Sequence, residues 1–522
     1  MIKSLFISST SGCFELQNDL PFYTDREYSL SLNGEIIKTG CKENVFSLFD
    51  LKPDTEYALR VDTDKEVFRF KTAAEFCCLN VKDFGAKGDG STDDTVAIRT
   101  AIACLPGNGR LYFPKGTYLT APLFLKSRMT LEFAEGATLL GSVNKEDYPV
   151  IPGVCHDDVK DCDLPFGTFE GIERSMYQSL ITAEYASDIY IIGRGTIDGN
   201  AQNSKWWTEF KDDPVARPRL VFLNRCFNVT LHGLVIQNSP SWQLHPYFSK
   251  YVNFYDLSIN APKNSPNTDA CDPEACDNVN IIGCRFSVGD DCIAIKSGKI
   301  EVGKKYKQPA DHHTIRNCLM QFGHGAITLG SEMGGGVKNL TVNRCIFNAT
   351  DRGLRIKTRR GRGKDAVIDG ILFENIKMTN VLTPIVMNMW YNCCDPDRFS
   401  EYVWSREKLP VDDRTPYLGK FTFRNMTCDD CHVCACYCDG LPEMPIEEIN
   451  VENISFTYSP DAKPGKPAMR NYAEEFCRGG MYFDNVKVLN ITDVTVTGPD
   501  TEPLITKNVG NVQSRNLICT KA

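Results

Sequence analysis

The chain has 522 residues, which is too long for one ordinary compact domain and suits either several domains or one elongated repeat architecture. Hydrophobic residues make up 42% of it and charged residues 24%, so a disordered, collagen-like or low-complexity protein is excluded. The formal net charge of −9 argues against nucleic acid or an anionic membrane surface as a partner, because both need an extended basic face.

The N-terminal segment and the cysteines bear on the compartment. Residues 1–10 contain one lysine and an apolar patch of three residues, far short of a secretory signal, and no run of about 18 apolar residues predicts a membrane span. The 23 cysteines are odd in number in a long chain, which favours reduced thiols over a disulfide framework. We therefore expect a cytoplasmic protein, or an extracellular one if a leader has been removed.

Residues 1–75 are predicted to form a small β-sandwich, since short alternating strands are separated by turns such as Asn33-Gly34. Within them, residues 51–61 resemble the turn and the tyrosine-bearing strand of fibronectin type III domains, in which that tyrosine pins a corner. Tyr57 is the tyrosine of this segment. We expect a spacer or packing module without chemistry of its own.

A glycine-rich loop and a helix follow at residues 81–105. Ser91, Thr92 and Asp93 are candidates for the N-cap, and apolar residues then recur at helical spacing. The loop lacks the endings of the phosphate-binding motifs, so nucleotide binding is not expected. The helix at 93–105 is expected to cap the open end of the domain that follows.

From Met129 onward the sequence repeats one phrase, a short β run with Asn or Gly near its ends. Copies begin at Asp188, Asn228, Tyr251, Asn278, Asn339, Ile371 and Ile449. Helical patterns are nearly absent after Leu105, and the shortest interval, 23 residues from Asn228 to Tyr251, is too short for a four-stranded propeller blade. The pattern predicts an all-β protein with a parallel β-helix over residues 76–522.

Acidic residues recur at the spacing of one β-helix turn. Residues one repeat apart become neighbours about 4.8 Å apart, and Asp290 and Asp291 lie 21 and 22 residues after Asp269, so three carboxylates can converge. The next rungs add an imidazole and two cations: His324, Arg355 and Lys357. Like charges this close raise at least one carboxyl pKa, which lets one group act as an acid while its neighbours stay ionised.

Four motifs resemble those of glycoside hydrolase family 28, the polygalacturonases, and follow the family's order: Asn267-Thr-Asp269, Gly289-Asp290-Asp291, Gly323-His324-Gly325 and Arg355-Ile-Lys357. The match covers roughly residues 79–510, and it implies that the parallel β-helix is right-handed, a pectin-lyase-like solenoid. The resemblance implies inverting hydrolysis of α-1,4 links between galacturonic acids. It implies that Asp290 protonates the leaving oxygen, while Asp269 and Asp291 hold and deprotonate the attacking water.

The resemblance also implies roles around these acids. His324 would tune the acid by hydrogen bonding. The residues expected to bind substrate are Arg355, Lys357, Asn267 and a tyrosine after the Arg-x-Lys rung, for which Tyr391 is preferred over Trp390 and Tyr402. The implied partner is a galacturonate-containing oligosaccharide or pectin, with neither a cofactor nor a metal. Ala270 departs from the glycine that commonly follows Asn-Thr-Asp, which alters a turn but leaves the acid.

Long insertions at residues 147–177, 200–217 and 390–417 are predicted to close one end of the groove. A closed end restricts cleavage to terminal units, and bacterial members with a fibronectin-like N-terminal domain resemble the exo-acting branch. We therefore expect exo action, with endo action as the alternative if the groove is open.

Residues 355–364 contain six cations, a patch through which a net acidic protein could hold a polyanion. The outer four suit a solvated loop equally well: Arg359, Arg360, Arg362 and Lys364. The cysteines between 428 and 438 favour buried packing over a metal site. His232 and His245 are interpreted as structural, although His245 could reach the cleft.

Three alternatives stay open beside the galacturonan hydrolase. One is a rhamnogalacturonan or xylogalacturonan hydrolase, the second a calcium-dependent pectate lyase, and the third a noncatalytic glycan-binding β-helix. The sequence also leaves the oligomeric state open.

Overall fold

A computed structural model describes residues 1–64, 66–211, 213–392 and 400–520. The N-terminal region forms two small antiparallel sheets, of order β1-β2-β5 and β4-β3-β6-β7. Its strands are β1 (Ile2–Ile7), β2 (Gly12–Leu16), β3 (Tyr23–Leu32), β4 (Glu35–Glu43), β5 (Val45–Leu48), β6 (Glu56–Val61) and β7 (Val67–Lys71). Buried aromatic and aliphatic side chains such as Phe14, Tyr28 and Leu59 fill the space between them.

The predicted tyrosine of this region makes a corner contact. The Tyr57 hydroxyl accepts a hydrogen bond of 2.8 Å from the backbone N–H of Lys52. Glu15 of β2 accepts hydrogen bonds from the guanidinium groups of Arg316 and Arg344, at 2.8 Å each, which attaches these sheets to the side of the larger domain. The likeness to fibronectin type III domains and the boundary at residue 75 stay predictions.

The rest of the chain forms a parallel β-helix that opens with strands β8 to β14. These are β8 (Cys78–Asn80), β9 (Asp89–Asp93), β10 (Gly109–Phe113), β11 (Gly116–Thr120), β12 (Leu123–Leu125), β13 (Met129–Phe133) and β14 (Ala137–Gly141). Helix α1 (Thr95–Cys104) lies between β9 and β10, and its Ile98, Ala101 and Ile102 pack into the end of the main core.

The cap of α1 differs from the prediction. The N-cap residue is Asp94, not Ser91, Thr92 or Asp93, and its side chain makes no capping bond. Both Asp94 carboxylate oxygens instead accept N–H groups of the glycine-rich loop, while Asp93 accepts the N–H of Thr95 at 2.9 Å. The loop thus competes for the side chain that would otherwise cap the helix.

Short antiparallel hairpins interrupt the coil within the predicted insertion. They comprise β15 (Val150–Ile151), β16 (Val154–Asp157), β17 (Cys162–Pro165), β18 (Thr168–Phe169), β19 (Ile172–Glu173) and β20 (Met176–Tyr177). β15 pairs with β20, β16 with β17 and β18 with β19. This segment therefore lies outside the regular coil of the β-helix.

The remaining rungs run to the C-terminal end of the described chain. They comprise β21 (Ile181–Glu184), β22 (Ser187–Gly193), β23 (Thr196–Asp198), β24 (Val221–Asn224), β25 (Phe227–His232), β26 (Val235–Gln237), β27 (Leu244–Tyr247), β28 (Lys250–Tyr255), β29 (Ser258–Asn260), β30 (Asp277–Ile282), β31 (Arg285–Ser287), β32 (Ile293–Ile295), α2 (Ile300–Tyr306), β33 (Ala310–Arg316), β34 (Leu319–Gln321), β35 (Ile327–Gly330), β36 (Val337–Asn343), β37 (Ile346–Asn348), β38 (Arg352–Lys357), β39 (Val367–Thr379), β40 (Thr383–Asn388), α3 (Glu401–Trp404), β41 (Tyr417–Leu418), β42 (Lys420–Cys431), β43 (Cys434–Asp439), β44 (Ile446–Tyr458), β45 (Gly479–Thr497) and β46 (Leu504–Thr520).

Equivalent strands of successive rungs pair in parallel and in register, so the chain builds three stacks. One contains β10, β13, β22 and β25, and a second contains β11, β14, β23 and β26. The third stack continues through β32, β35, β38 and β40. Inward residues of these strands, such as Ile293 and Ile327, are fully buried in one continuous core. The predicted all-β parallel β-helix is confirmed.

Candidate active site

The predicted acids and the histidine lie at equivalent places on successive rungs, where the chain turns into the third stack. Asp269 precedes Cys271, which bridges β27 to β32. Asp290 and Asp291 lie just before β32, and His324 lies just before β35. Because the strands that follow are in register, each rung presents its polar turn on the same side of the β-helix.

The three acidic side chains meet. One carboxylate oxygen from each of Asp269, Asp290 and Asp291 lies within 4.8 Å of the others. Asp291 is fully buried and Asp269 is 4% exposed, whereas Asp290 is half-buried. Among the residues that the structure describes, this is the one group of acidic, histidine or cysteine side chains with a spacing that suits a metal ion.

Arg355 and Lys357 project from β38 onto Asp291. The alternation of this strand buries Leu354 and Ile356 in the core and turns the two cations outward. Arg355 Nη1 donates to Asp291 Oδ1 at 3.1 Å, and Lys357 Nζ donates to Asp291 Oδ2 at 2.8 Å. Burial raises the pKa of Asp291, but the two cations outweigh burial and hold it well below its usual range.

The other two acids are shifted the opposite way. Burial and the negative charge of Asp291 raise the pKa of Asp290, against the smaller effect of the nearby cations. Burial also raises the pKa of Asp269, and the charges of Asp272 and Asp290 add to the rise. The cluster therefore sorts into one stable anion, Asp291, and two carboxyls that compete for protons at higher pH.

His324 stands at the open edge of this cluster. Its backbone N–H donates to the Asp290 carbonyl at 3.0 Å, and its side chain is 56% exposed. The flanking glycines are needed here: Gly323 has φ of +93°, and a Cβ on Gly325 would come within 2.9 Å of Asp291 Oδ1. The described hydrogen bond of the ring goes from Nδ1 to Asp351 Oδ2 at 2.8 Å, rather than to the predicted acid.

The remaining predicted binding residues border the acids. Asn267 is half-buried, and its Oδ1 accepts a hydrogen bond of 2.6 Å from Arg217 Nη2. Tyr391 is 6% exposed, and Lys357 Nζ lies 5.9 Å from the centre of its ring. Trp390, the less favoured aromatic, is turned away, because its indole N–H donates to Asp439 at 2.9 Å.

Buried charges behind the acids were not predicted from the sequence. Lys296 Nζ lies 3.4 Å from Asp272 Oδ1 and 3.3 Å from Glu332 Oε2, and all three side chains are almost completely buried. Lys296 counteracts the rise in the Asp269 pKa. Strand alternation could have revealed Lys296 from the sequence. It follows the apolar strand β32 directly, at a position that alternates with the inward residues of that strand.

The outer cations of the basic stretch are not on a solvated loop, which corrects that interpretation for three of them. Arg359, Arg360 and Arg362 are at most 4% exposed. Arg360 donates to both carboxylate oxygens of Glu443, at 2.5 and 2.9 Å, and to backbone carbonyls that include that of Ser405. Arg360 therefore stabilises the fold. Lys364 alone of the four is exposed, as a solvated residue would be.

Several other side chains lie outside the site. His232 and His245 are fully buried, and His245 Nε2 lies 3.1 Å from Glu274 Oε2, so neither meets the solvent. Cys434, Cys436 and Cys438 are buried in or beside the apolar clusters on β43, as predicted for packing residues. No helix among the described residues has the length and apolar character needed to cross a membrane.

Comparison with known proteins agrees with this arrangement. The model of the glycosyl hydrolases family 28 matches residues 156–463, and a model described as rhamnogalacturonase A/epimerase, pectate lyase-like, matches residues 78–144. A probable polygalacturonase of Vitis vinifera is 32% identical over 395 residues, which cover 73% of this chain and 74% of that protein.

Further similar proteins include an exo-poly-alpha-D-galacturonosidase of Dickeya chrysanthemi, 28% identical over 73% of this chain and 68% of that protein. Other relatives are named endo-polygalacturonase. The solved structure of the Yersinia enterocolitica family 28 exopolygalacturonase superimposes with a TM-score of 0.76 over 99% of both chains, at 21% identity. That likeness confirms the predicted right-handed parallel β-helix.

The family match spans more than half of the chain, and the Vitis protein is 32% identical over 73% of it, so membership of the family is established. The chain belongs to the glycosyl hydrolases family 28.

Proposed function

We propose that this protein is a galacturonan hydrolase that cleaves α-1,4-galacturonosidic links with inversion and acts from chain ends. The observation that carries the proposal is the cluster of Asp269, Asp290 and Asp291 next to the cations Arg355 and Lys357. Glycoside hydrolysis needs one carboxyl that is protonated and another that is ionised, and a substrate that is a polyanion needs fixed cations beside them.

The pKa directions separate Asp291 from the other two acids. Asp290 is half-buried with a raised pKa, so it holds its proton to higher pH than an ordinary carboxyl group and can deliver it to the glycosidic oxygen. Asp291 stays ionised between its two cations and would orient the water. Asp269 has a raised pKa, so once ionised it is the more basic of the two and would take the proton from that water.

The step balances without a co-reactant. The Asp290 proton goes to the leaving oxygen as the bond from the anomeric carbon to that oxygen breaks. Water attacks the anomeric carbon from the opposite face, and its proton goes to Asp269. Asp269 then releases its proton to solvent, and Asp290 takes one up from solvent. The products are two saturated sugars.

The substrate carboxylate is proposed to bind at Arg355 and Lys357. Both cations contact Asp291 with side chains only 14% and 12% exposed, so a bound carboxylate would share them with that acid. Tyr391 borders Lys357, and Asn267 is held by Arg217, which fits the proposed contribution of both residues to binding.

Exo action is supported by chain segments that crowd the site. From the 147–177 insertion, Phe169 stacks on Trp242 with ring centroids 6.2 Å apart, and the Gly171 carbonyl accepts a hydrogen bond of 2.7 Å from the N–H of Lys299. Trp242 in turn lies under Lys296, with 4.6 Å from Nζ to the ring. This insertion therefore contacts the rung before Asp269, at Trp242, and the segment that follows β32, at Lys299.

A second segment, residues 459–478, was not predicted to take part and covers the other end. Carbonyl groups of Lys466 and Pro467 each accept a hydrogen bond of 2.8 Å from the Arg352 guanidinium. Met469 Sδ lies 3.0 Å from Arg355 Nη2. The predicted insertion at 390–417 lies partly outside the described residues. In its described part, the carbonyls of Tyr402, Ser405 and Glu407 accept hydrogen bonds from Arg360.

The test is a time course on trigalacturonate and polygalacturonate with a chelator present. On polygalacturonate we expect one short saturated product, mono- or digalacturonate, from the start, and trigalacturonate should give the two together. Asp290→Asn should lower kcat about 10²- to 10⁴-fold. Mixed product lengths from polygalacturonate would contradict exo action, and absorbance of unsaturated ends would indicate a lyase. Cleavage only of rhamnogalacturonan or xylogalacturonan would show that the substrate is that polymer and not polygalacturonate. Binding without any product would favour a glycan-binding protein.

Stereochemistry needs its own measurement. One oxygen of each carboxylate lies within 4.8 Å of the others, which is closer than the usual separation in inverting enzymes. The proposal of inversion is therefore supported by the family resemblance and not by this distance. Proton NMR of fresh products should show the β-anomer first. An initial α-anomer would indicate retention.

The compartment also stays a proposal. We propose a reducing one, supported by buried thiols such as Cys271, Cys292 and Cys318, whose pKa values burial raises. Free-thiol titration of the protein isolated from its native cell would test this, and disulfides there would contradict it.

A further inference from the structure

We propose that Asp351 is a positioning residue of this site, which fixes the His324 ring and favours its protonated form beside the acids. The proposal rests on the proposed function, because it gives His324 a part in the same reaction. The observation that carries it is the hydrogen bond of 2.8 Å between His324 Nδ1 and Asp351 Oδ2.

The two side chains come from successive rungs, and the backbone of Asp351 is fixed on both sides. Its N–H donates to the Gly323 carbonyl at 3.0 Å. Its own carbonyl accepts hydrogen bonds from the Thr383 N–H at 3.2 Å and from Arg352 Nη1 at 3.1 Å. The carboxylate is thus presented by the rigid start of β38, which lets it hold the ring in one orientation.

The hydrogen bond decides which ring nitrogen carries the proton. A carboxylate can only accept, so Nδ1 is the protonated nitrogen and Nε2 is left for other partners. When Nε2 is protonated as well, the ring becomes a cation next to Asp290 and Asp291. An imidazolium there lowers the pKa of Asp290, so Asp351 would act on the acid through His324.

The charges that face the ring all favour this cation. Asp351 contributes the largest part of the rise in the His324 pKa, and Asp290 and Asp291 add to it, while burial opposes it. Arg352 and Arg355 lie near Asp351 and help to keep it ionised. The histidine is therefore surrounded by carboxylates from the turns before β32 and β38.

The chain contains a matched pair away from the site. His312 Nδ1 lies 3.0 Å from Asp277 Oδ1, and His312 is 58% exposed against 56% for His324. The Asp277 hydrogen bond likewise raises the His312 pKa. Asp277→Asn therefore reproduces the chemical change of Asp351→Asn without touching the acids.

The first experiment is an NMR titration of protein with ¹³C-labelled histidine, with His324→Asn used to assign the resonance. In D351N the His324 midpoint should fall by about one pH unit, which is roughly a tenfold loss of proton affinity. In D277N only the His312 midpoint should fall. An unchanged His324 midpoint in D351N would overturn the proposal. If D351N does not fold, the same titration of Asp351→Glu is expected to keep the midpoint within a few tenths of a unit, and a fall as large as that expected for Asn would overturn the proposal.

The second experiment uses kinetics on trigalacturonate. D351N should lower kcat about tenfold with little change in KM, because Asp290 is a weaker acid without the imidazolium beside it. The alkaline limb of kcat should move to higher pH, because Asp290 then keeps its proton to higher pH. D277N should match the unmodified enzyme. In an H324N background D351N should add nothing, and an equal further loss there would show that Asp351 acts elsewhere.

The two experiments distinguish the proposed function from the proposed role of Asp351. The NMR titration needs no substrate. If the protein cleaves no galacturonan, the proposed function is wrong, but the pH midpoint of the His324 titration can still be measured. An active D351N enzyme with an unshifted midpoint would overturn only the role of Asp351.

Discussion

Residues 355–364 contain two kinds of cation that look alike in the sequence. Arg355 and Lys357 reach the carboxylate of Asp291, the acid that stays ionised. Arg360, three residues further on, is 1% exposed and serves the packing of the chain. The difference shows that a basic stretch indicates where cations are, whereas the strand and its end decide what each of them contacts.

Strand alternation explains where Arg355 and Lys357 point. Arg360 has different contacts because it lies beyond the end of the strand. Arg355 and Lys357 occupy the outward positions of β38. Arg360 lies after the strand, where its guanidinium meets Glu443 and the carbonyls of Tyr402 and Ser405 and stacks 4.8 Å from the Trp390 ring. A planar guanidinium with several donors suits such a buried junction.

The largest expected effect within this comparison is on stability, from Arg360→Met. Removing one partner of a buried ion pair strands Glu443, and we expect the free energy of unfolding to fall by about 3–5 kcal/mol in urea denaturation. The double variant R360M/E443M should recover much of this loss, because no uncompensated charge is left. Unchanged stability of R360M would contradict the assigned role, as would a raised KM in the folded fraction.

Lys357→Gln should mainly affect binding. Loss of a charged hydrogen bond to the substrate costs about 1.5–3 kcal/mol, so kcat/KM on trigalacturonate should fall roughly 10- to 100-fold through KM. Lys364→Gln is the matched control, because that lysine is 60% exposed and 3.6 Å from Asp413. The proposed binding of the substrate carboxylate by Lys357 fails if kcat/KM falls as much in K364Q as in K357Q. It also fails if K357Q shows the same fall in kcat/KM on methyl-esterified oligomers, which lack the charge.

A smaller effect is expected on the pH profile of K357Q. Lys357 lowers the pKa of Asp291 and also that of Asp290. Without it, Asp290 keeps its proton to higher pH, so the alkaline limb of kcat/KM should move upward, while the acid limb, set by the ionisation of Asp269, should stay in place. R360Q should leave both limbs in place. A downward shift in K357Q, measured with initial rates across pH, would contradict the proposed roles of the two acids.

The fold and the centre of the site were predictable because they follow a repeat. Asp269 and the Asp290-Asp291 pair are one rung apart, so spacing alone predicts their convergence. The same rule could have found Asp351, which lies 27 residues after His324, had the rung after the histidine been searched for a partner. Arg217 and Met469 could not be found in this way, because they lie in segments between rungs, whose paths no period describes.

The helix α2 between β32 and β33 points to how such an enzyme can vary during evolution. Its seven residues are added between the rungs of Asp290 and His324, yet β32 and β35 still pair in register. An insertion that leaves the flanking strands in register therefore keeps the spacing of the acids and His324, whereas gain or loss of a whole coil between these rungs would move His324 and Arg355 together by about 4.8 Å. Relatives are therefore expected to differ in the loops that form the walls of the cleft more than in the number of coils between Asp290 and Lys357.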